Sequence, residues 1–149
     1  MTVGEFCNRE VVVAERNTTI VEAAKLMRQY HVGDLVVVDR SSAMTIPVGI
    51  ITDRDIVVEI IANEISLDAA CAADVMSFGV ITAGVHDGIL DTLQKMRAKG
   101  IRRLPVVNDE GGLEGILAID DVLEVLSEEL SLLAKAAIRG QELEKKLRP

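Results

Sequence analysis

Aromatic side chains are almost missing from this chain of 149 residues, which has two Phe, one Tyr and no Trp. A core of stacked rings is therefore excluded, and Val, Ile, Leu, Ala and Met must do the packing, as suits buried strands and helix stripes. The 49% apolar content is enough to fill one compact domain, or two half-size units that share a core. Cysteine is as scarce. Cys7 and Cys71 show no paired spacing, which argues against a disulfide framework and fits reduced thiols in a cytoplasmic protein. There is neither a charged-then-apolar leader nor an apolar run of about 18 residues, so a soluble chain with no membrane partner is expected. Basic residues are outnumbered, 16 against 24 acidic, and the net charge of −8 repels a phosphate backbone. Nucleic acid is accordingly not expected as a partner, although a local basic cleft for one small anion remains open.

Catalytic signatures are absent too. The sequence shows no glycine-rich phosphate loop, no paired acid and base and no activated nucleophile, so no catalytic residue is assigned and an enzyme is not indicated. His31 and His86 have no Cys or carboxylate at ligand spacing, and no metal site is expected. His31 instead suits the end of a helix, where a partly charged imidazole is favourable.

What the chain does have is repetition. The pattern from Ile20 to Asp39 returns from Ile89 to Asn108, a shift of 69 residues under which Ile20, Met27, Arg28, Leu35, Val37 and Val38 meet identical residues. After a hairpin three residues longer in the first copy, Gly49-Ile50-Ile51-Thr52-Asp53-Arg54-Asp55 falls on Gly115-Ile116-Leu117-Ala118-Ile119-Asp120-Asp121. Internal repetition constrains a fold more than a single motif does. Two copies that each expose an apolar sheet face will pack on one another and leave related clefts at the seam.

Each copy reads as strand, helix, strand, strand, helix. In the first, Val11-Val12-Val13 is a short β-branched strand, Asn17-Thr18-Thr19 offers caps to a helix over Ile20–Tyr30, and Leu35–Val38 and Ile46–Ile51 form a hairpin turning through 39–44. Thr52 then caps a helix to about Ala62. The second copy predicts strands at Val80–Ala83, Leu104–Val107 and Leu113–Leu117, a helix over Ile89–Lys99 stopped by Gly100, and a last helix from Asp120. Boundaries follow at 5–62 for the first repeat, 63–77 for a partly helical linker, 78–126 for the second repeat and 127–149 for a helical extension. The extension keeps a three-and-four apolar spacing through Leu123, Leu126, Leu130, Leu133 and Ala137. It either folds back on its own domain or forms a dimer contact, and Gly140 is a candidate interruption.

The doubled unit, ending in Gly-apolar-apolar-Thr-x-x-Asp at Gly49–Asp55 after Val36-Val37-Val38-Asp39, resembles the cystathionine β-synthase (CBS) domain, and the whole chain resembles a stand-alone tandem CBS pair. The resemblance implies an α+β fold of two pseudo-symmetric β-α-β-β-α repeats packed sheet to sheet, and a disc-like homodimer. It implies a regulatory module that binds an adenine nucleotide such as AMP, ADP or ATP, needs no cofactor, and reports occupancy to an effector protein whose identity the sequence does not give. In such a pair Asp55 and Asp121 would hold the ribose, Thr52 would assist, and adenine would lie along Val11, Val12 and Val13 or, in the other copy, Val80 and Thr82. Arg102 and Arg103, with Arg54 beside Asp55, would reach phosphate.

The residue chemistry agrees with these roles and leaves plainer ones open. A carboxylate at a helix start can accept from two vicinal hydroxyls, and guanidinium forks suit phosphate oxygens. Thr52 and Asp55 equally fit a simple helix cap, and Arg102 and Arg103 ordinary strand-edge residues. In the second copy Ala118 replaces Thr and Asp120 adds a charge, so unequal clefts are expected, the Thr52–Asp55 side being the better. Alternatives are S-adenosylmethionine or NAD as ligand, and a ligand-free dimerisation scaffold. A phospho-accepting receiver domain is disfavoured, because it would leave the repeat unexplained and lacks its acidic pair and late Lys.

Overall fold

The computed structural model describes residues 1–41, 43–77 and 79–148. Ser42, which falls in the expected turn 39–44, Phe78 and Pro149 lie outside the described residues. The chain is α+β, with two three-stranded sheets related by the sequence repeat. In the first, β1 (Val13–Glu15) runs parallel to β2 (Asp34–Arg40), which pairs antiparallel with β3 (Thr45–Thr52). In the second, β4 (Ala83–Gly84), β5 (Arg103–Val107) and β6 (Leu113–Ala118) repeat that order. Each hairpin carries a register shift at the equivalent place, between Val37 and Val38 and between Val106 and Val107.

Local chemistry sets the helices that join these strands. After α1 (Val3–Phe6), α2 (Ile20–Tyr30) starts with a reciprocal cap: the Glu22 N–H donates to Thr19 Oγ1 at 3.1 Å, and the Thr19 N–H donates to Glu22 Oε2 at 3.0 Å. It buries Ile20, Ala23 and Met27 and ends at His31 in the left-handed conformation, φ 54°. The second copy puts Gly100 at that terminus, φ 65°. A short α3 (Asp53–Asp55) passes into a π-helical stretch over Ile56–Ile61, and the linker forms a 3₁₀ turn at Leu67–Ala69 and α4 (Ala72–Val75). Then follow α5 (Ile89–Lys99) and α6 (Ile119–Leu147). The expected spans of α2 and α5 agree with the structure, and α6 runs unbroken through Gly140.

The first strand of each repeat differs from expectation. The ladder begins at Val13 and Ala83, so Val11 and Val12 precede β1, and Val80 and Thr82 precede β4, in irregular backbone. The β-branched run was a sound apolar signal but not a ladder: the register pairs Val13 with Val36, and only the Val12 carbonyl is engaged, accepting from the Val36 N–H at 3.1 Å. Side chains ahead of the ladder are thereby free to line a cleft.

Two aliphatic cores result, and the chain crosses between them. The first contains Ile20, Leu35, Val37, Ile51 and Ile60 together with Ala72 and Met76 from the expected linker. The second contains Ile89, Met96, Leu104, Val106 and Leu117 together with Val3, which precedes the first repeat. Each sheet is therefore completed by the segment leading into the other repeat. Asn8 and Ile116 exchange both backbone hydrogen bonds at 2.9 Å, and the Ser77 N–H donates to the Ile50 carbonyl at 3.0 Å. Such approach needs glycine beneath it. A Cβ on Gly115 would lie 2.7 Å from the Asn8 carbonyl oxygen, and one on Gly49 would lie 2.9 Å from that of Ser77.

Gly115→Ala should therefore lower stability by about 1–3 kcal/mol, the usual cost of forcing extra volume into packed backbone. Gly140→Ala, with open space around it on a helix, should raise stability by about 1 kcal/mol. Denaturant unfolding of the two variants beside the parent checks both signs.

Candidate functional site

Two clefts open where the repeats meet, and the repeat maps one onto the other. The larger, about 290 Å³, takes apolar walls from Val11, Val12, Val32, Val36 and Ile116, and polar groups from Glu10, His31, Asp34, Arg103, Asp120 and Asp121. The smaller, about 170 Å³, is lined by Ile50, Ser77, Gly79, Val80, Ile81, Ile101 and Arg103. Every lining residue of the smaller cleft has its repeat counterpart in the larger: Val80 answers Val11, Ile81 answers Val12, Ile50 answers Ile116, and Arg103 answers Asp34.

Of the expected site residues, Val11, Val12 and Asp121 line the larger cleft, Val80 the smaller and Arg103 both, while the others, Thr52 and Asp55 included, line neither. Asp121 stands in the first turn of α6, half-buried, in the larger cleft with Val11, Val12 and Ala118, and among the described residues its carboxylate makes no hydrogen bond. Val80 lines the smaller cleft; Thr82 and Val13 line neither. Thr52 and Asp55 occupy the matching position beside Ile50 but are turned on each other. The Thr52 N–H donates to Asp55 Oδ2 at 2.9 Å and the Asp55 N–H donates to Thr52 Oγ1 at 3.0 Å, a closed capping box. Sequence reasoning ranked that side first; the larger cavity lies on the Asp121 side.

The cations are also placed unequally. Arg102 pairs with Asp120 at 3.1 Å on the surface, and Arg54 is exposed and lines neither cleft. Arg103 lines both. Its Nε lies 3.4 Å from Asp34 Oδ1, and the Asp34 side chain is only 11% exposed. Burial pushes the Asp34 carboxyl above its ordinary range; Arg103 pulls it down by less, and the charges of Asp53 and Asp121 push the same way as burial. The larger cleft thus gathers four carboxylates around one guanidinium, while the smaller, among the described residues, has Arg103 and no acidic lining residue.

Sequence reasoning gave no site role to Asp34, Val32, Val36 or Ile116. A signal for Asp34 was available, since the repeat sets it opposite Arg103 with inverted charge. His31 finishes α2 as expected and also lines the larger cleft, with φ in the region where non-glycine residues are uncommon. Among the described residues no group of three or more His, Cys, Asp or Glu could hold a metal ion, and no helix is long and apolar enough to cross a membrane.

With this geometry, comparison with known proteins is decisive. The family model described as the CBS domain matches twice, over residues 3–62 and 72–128. The chain belongs to the CBS domain family. An uncharacterized protein of Methanopyrus kandleri is 38% identical over 84% of this chain, which spans 62% of that protein's length. A CBS domain-containing protein of Bacillus subtilis is 33% identical, with 81% of this chain and 82% of that one covered. Among solved structures, a CBS domain protein from Pyrobaculum aerophilum complexed with AMP superposes with a TM-score of 0.73 at 29% identity, covering 85% of this chain and 99% of that one. The CBS domain pair of protein MJ0100, in complex with 5′-methylthioadenosine and S-adenosyl-L-methionine, also gives 0.73, at 26% identity with 87% and 98% covered.

The capping geometry separates the two aspartates. Asp55→Ala should lower stability by about 1 kcal/mol, the usual cost of losing a helix cap, whereas Asp121→Ala should change it by less than about 0.5 kcal/mol. Thermal or denaturant unfolding of the ligand-free variants checks the contrast.

Proposed function

We propose that this CBS pair is a regulatory module that binds an adenosine-containing ligand of the AMP, ADP or ATP type between its repeats and passes occupancy to a partner protein. The observation that carries this reading is the larger cleft, where an apolar slot ends at an uncommitted carboxylate. Val12, Val36 and Ile116 offer faces to a flat base, and Asp121 offers two oxygens to a vicinal diol. In the smaller cleft Val80 and Ile81 take the place of Val11 and Val12, with Asp55 and Thr52 near the ribose once their mutual cap loosens. Arg103, which lines both clefts, supplies the cation for phosphate. The relatives solved with AMP and with S-adenosylmethionine support an adenosyl ligand and leave its 5′ group to be measured.

Calorimetric titration of the full chain, stripped of carried-over ligand, with AMP, ADP, ATP and S-adenosylmethionine in turn is the direct test. Saturable binding of at least one, weakened about tenfold or more by Asp121→Ala, is expected, a loss on the scale of hydrogen bonds to a charged group. No heat from any of them, with unchanged melting temperature, sinks the sensor reading in favour of a ligand-free scaffold.

The same reading includes a homodimer, and α6 is the element we assign to it. Residues 126–148 are all exposed, so the helix does not fold back on its own domain. Leu123, Leu126, Leu130 and Leu133 form an exposed stripe, 58%, 40%, 68% and 69% open. Its charges favour a second copy running antiparallel: Asp120, Asp121, Glu124, Glu128 and Glu129 fill the first half, and in the second Lys135, Arg139, Lys145 and Lys146 outnumber Glu142 and Glu144. Antiparallel pairing sets opposite signs side by side, and parallel pairing sets like signs. Light scattering should give a dimer at micromolar concentration and a folded monomer for Leu130→Glu/Leu133→Glu; a monomeric parent overturns the assignment.

A further inference from the structure

The two copies close the helix before the central strand in the same way and use different residues to do it. The Val32 N–H donates to the Met27 carbonyl at 3.1 Å, and its counterpart, the Ile101 N–H, donates to the Met96 carbonyl at 3.0 Å. This closure needs one residue in the left-handed conformation at the helix end. The second copy supplies Gly100, φ 65°, and the first supplies His31, φ 54°. Glycine adopts that conformation freely, whereas a residue with a Cβ is strained by it. Among the described residues only His31 and Glu64 are non-glycine with positive φ, and Glu64 lines neither cleft.

His31 stands where such strain can serve a ligand. It lines the larger cleft, whereas Gly100 does not line the smaller. The exposed lining residues, Asn8, Glu10, His31, Arg103 and Asp120, form the mouth of the larger cleft. Most of their polar groups are engaged: Arg103 with Asp34, Asp120 with Arg102, and Asn8 Oδ1 with the Glu10 N–H at 2.9 Å. The His31 imidazole, among the described residues, makes no hydrogen bond or ion pair. It is also the one aromatic ring on that wall. Val36 is fully buried and Val12 and Ile116 are half-buried, so the aliphatic part of the slot lies deeper than the ring. A base seated against those side chains leaves a side open to water at the mouth, and a ring there covers it by stacking.

We propose that His31 is a ligand-contacting residue of the larger cleft, its imidazole covering the solvent side of the bound base from a strained position that glycine fills in the other copy. This rests on the adenosyl-binding reading above and adds to it the residue that makes the larger cleft the more selective for a flat base.

His31→Gly and His31→Asn, both compatible with the left-handed conformation, separate this contact from a purely structural role. Both should melt no more than about 2 °C below the parent, and His31→Gly up to about 4 °C above it. Adenosine, or AMP should adenosine not bind, is titrated into the full chain, and the site in the larger cleft is recognised by its loss in Asp121→Ala. That site should weaken about threefold or more in both His31 variants. The chain has two histidines, so their ring protons can be followed separately by NMR. At saturation those of His31 should move upfield under the ring current of the base, while those of His86, which lines neither cleft, stay in place. A smaller loss of affinity, unmoved His31 ring protons, a larger drop in melting temperature, or binding that ignores Asp121→Ala each overturns the proposal and leaves an adenosyl ligand standing. No binding of adenosine or AMP by the parent removes both conclusions.

Discussion

The structure depends on the backbone contact at the two equivalent glycines, Gly49 and Gly115. There the segment leading into one repeat is laid against the outer strand of the other, so that Asn8 closes β6 and Ser77 closes β3. Without that contact each sheet would keep an unpaired edge, and each core would lose an apolar anchor, Val3 from one and Met76 from the other. With it, neither repeat is complete by itself. The exchange also places the residues just after Asn8 and Ser77 in the seam, and this is why Val11, Val12, Val80 and Ile81 line clefts instead of extending strands.

Much of the fold was legible because the repeat supplied two independent readings of each element. Helices α2 and α5 could be bounded from Thr19 and Tyr30, and from Ile89 and Gly100, since caps and stop residues coincided with the apolar period. The first strands were misplaced because a β-branched run signals apolar surroundings without saying whether its backbone is in a ladder. The crosswise packing of Val3 and Met76 was illegible for a different reason. Short apolar segments beside a repeat carry no mark of which copy they will join.

Of the candidate site, the sequence pointed to Val11, Val12, Val80, Arg103 and Asp121, which line the clefts, and said nothing of which carboxylate would be engaged. Asp55 and Asp121 are counterparts with the same residue type, yet Asp55 is held in a closed cap and Asp121 is unengaged. A neighbour also differs, Thr52 in one copy and Ala118 in the other. The sequence showed that replacement and read it as a weakness of the second copy. In the folded chain Asp121 is uncommitted, and the cleft it lines is the larger of the two.

A residue that sits on an axis of approximate twofold symmetry is its own neighbour. If both copies carried Arg there, two cations would be pressed together in a partly enclosed space, and two Asp would fare no better. A duplicated chain can keep identical charges anywhere except on that line. The inversion at Asp34 and Arg103 turns that repulsion into attraction, and it makes two otherwise matching halves unequal at the line where they meet.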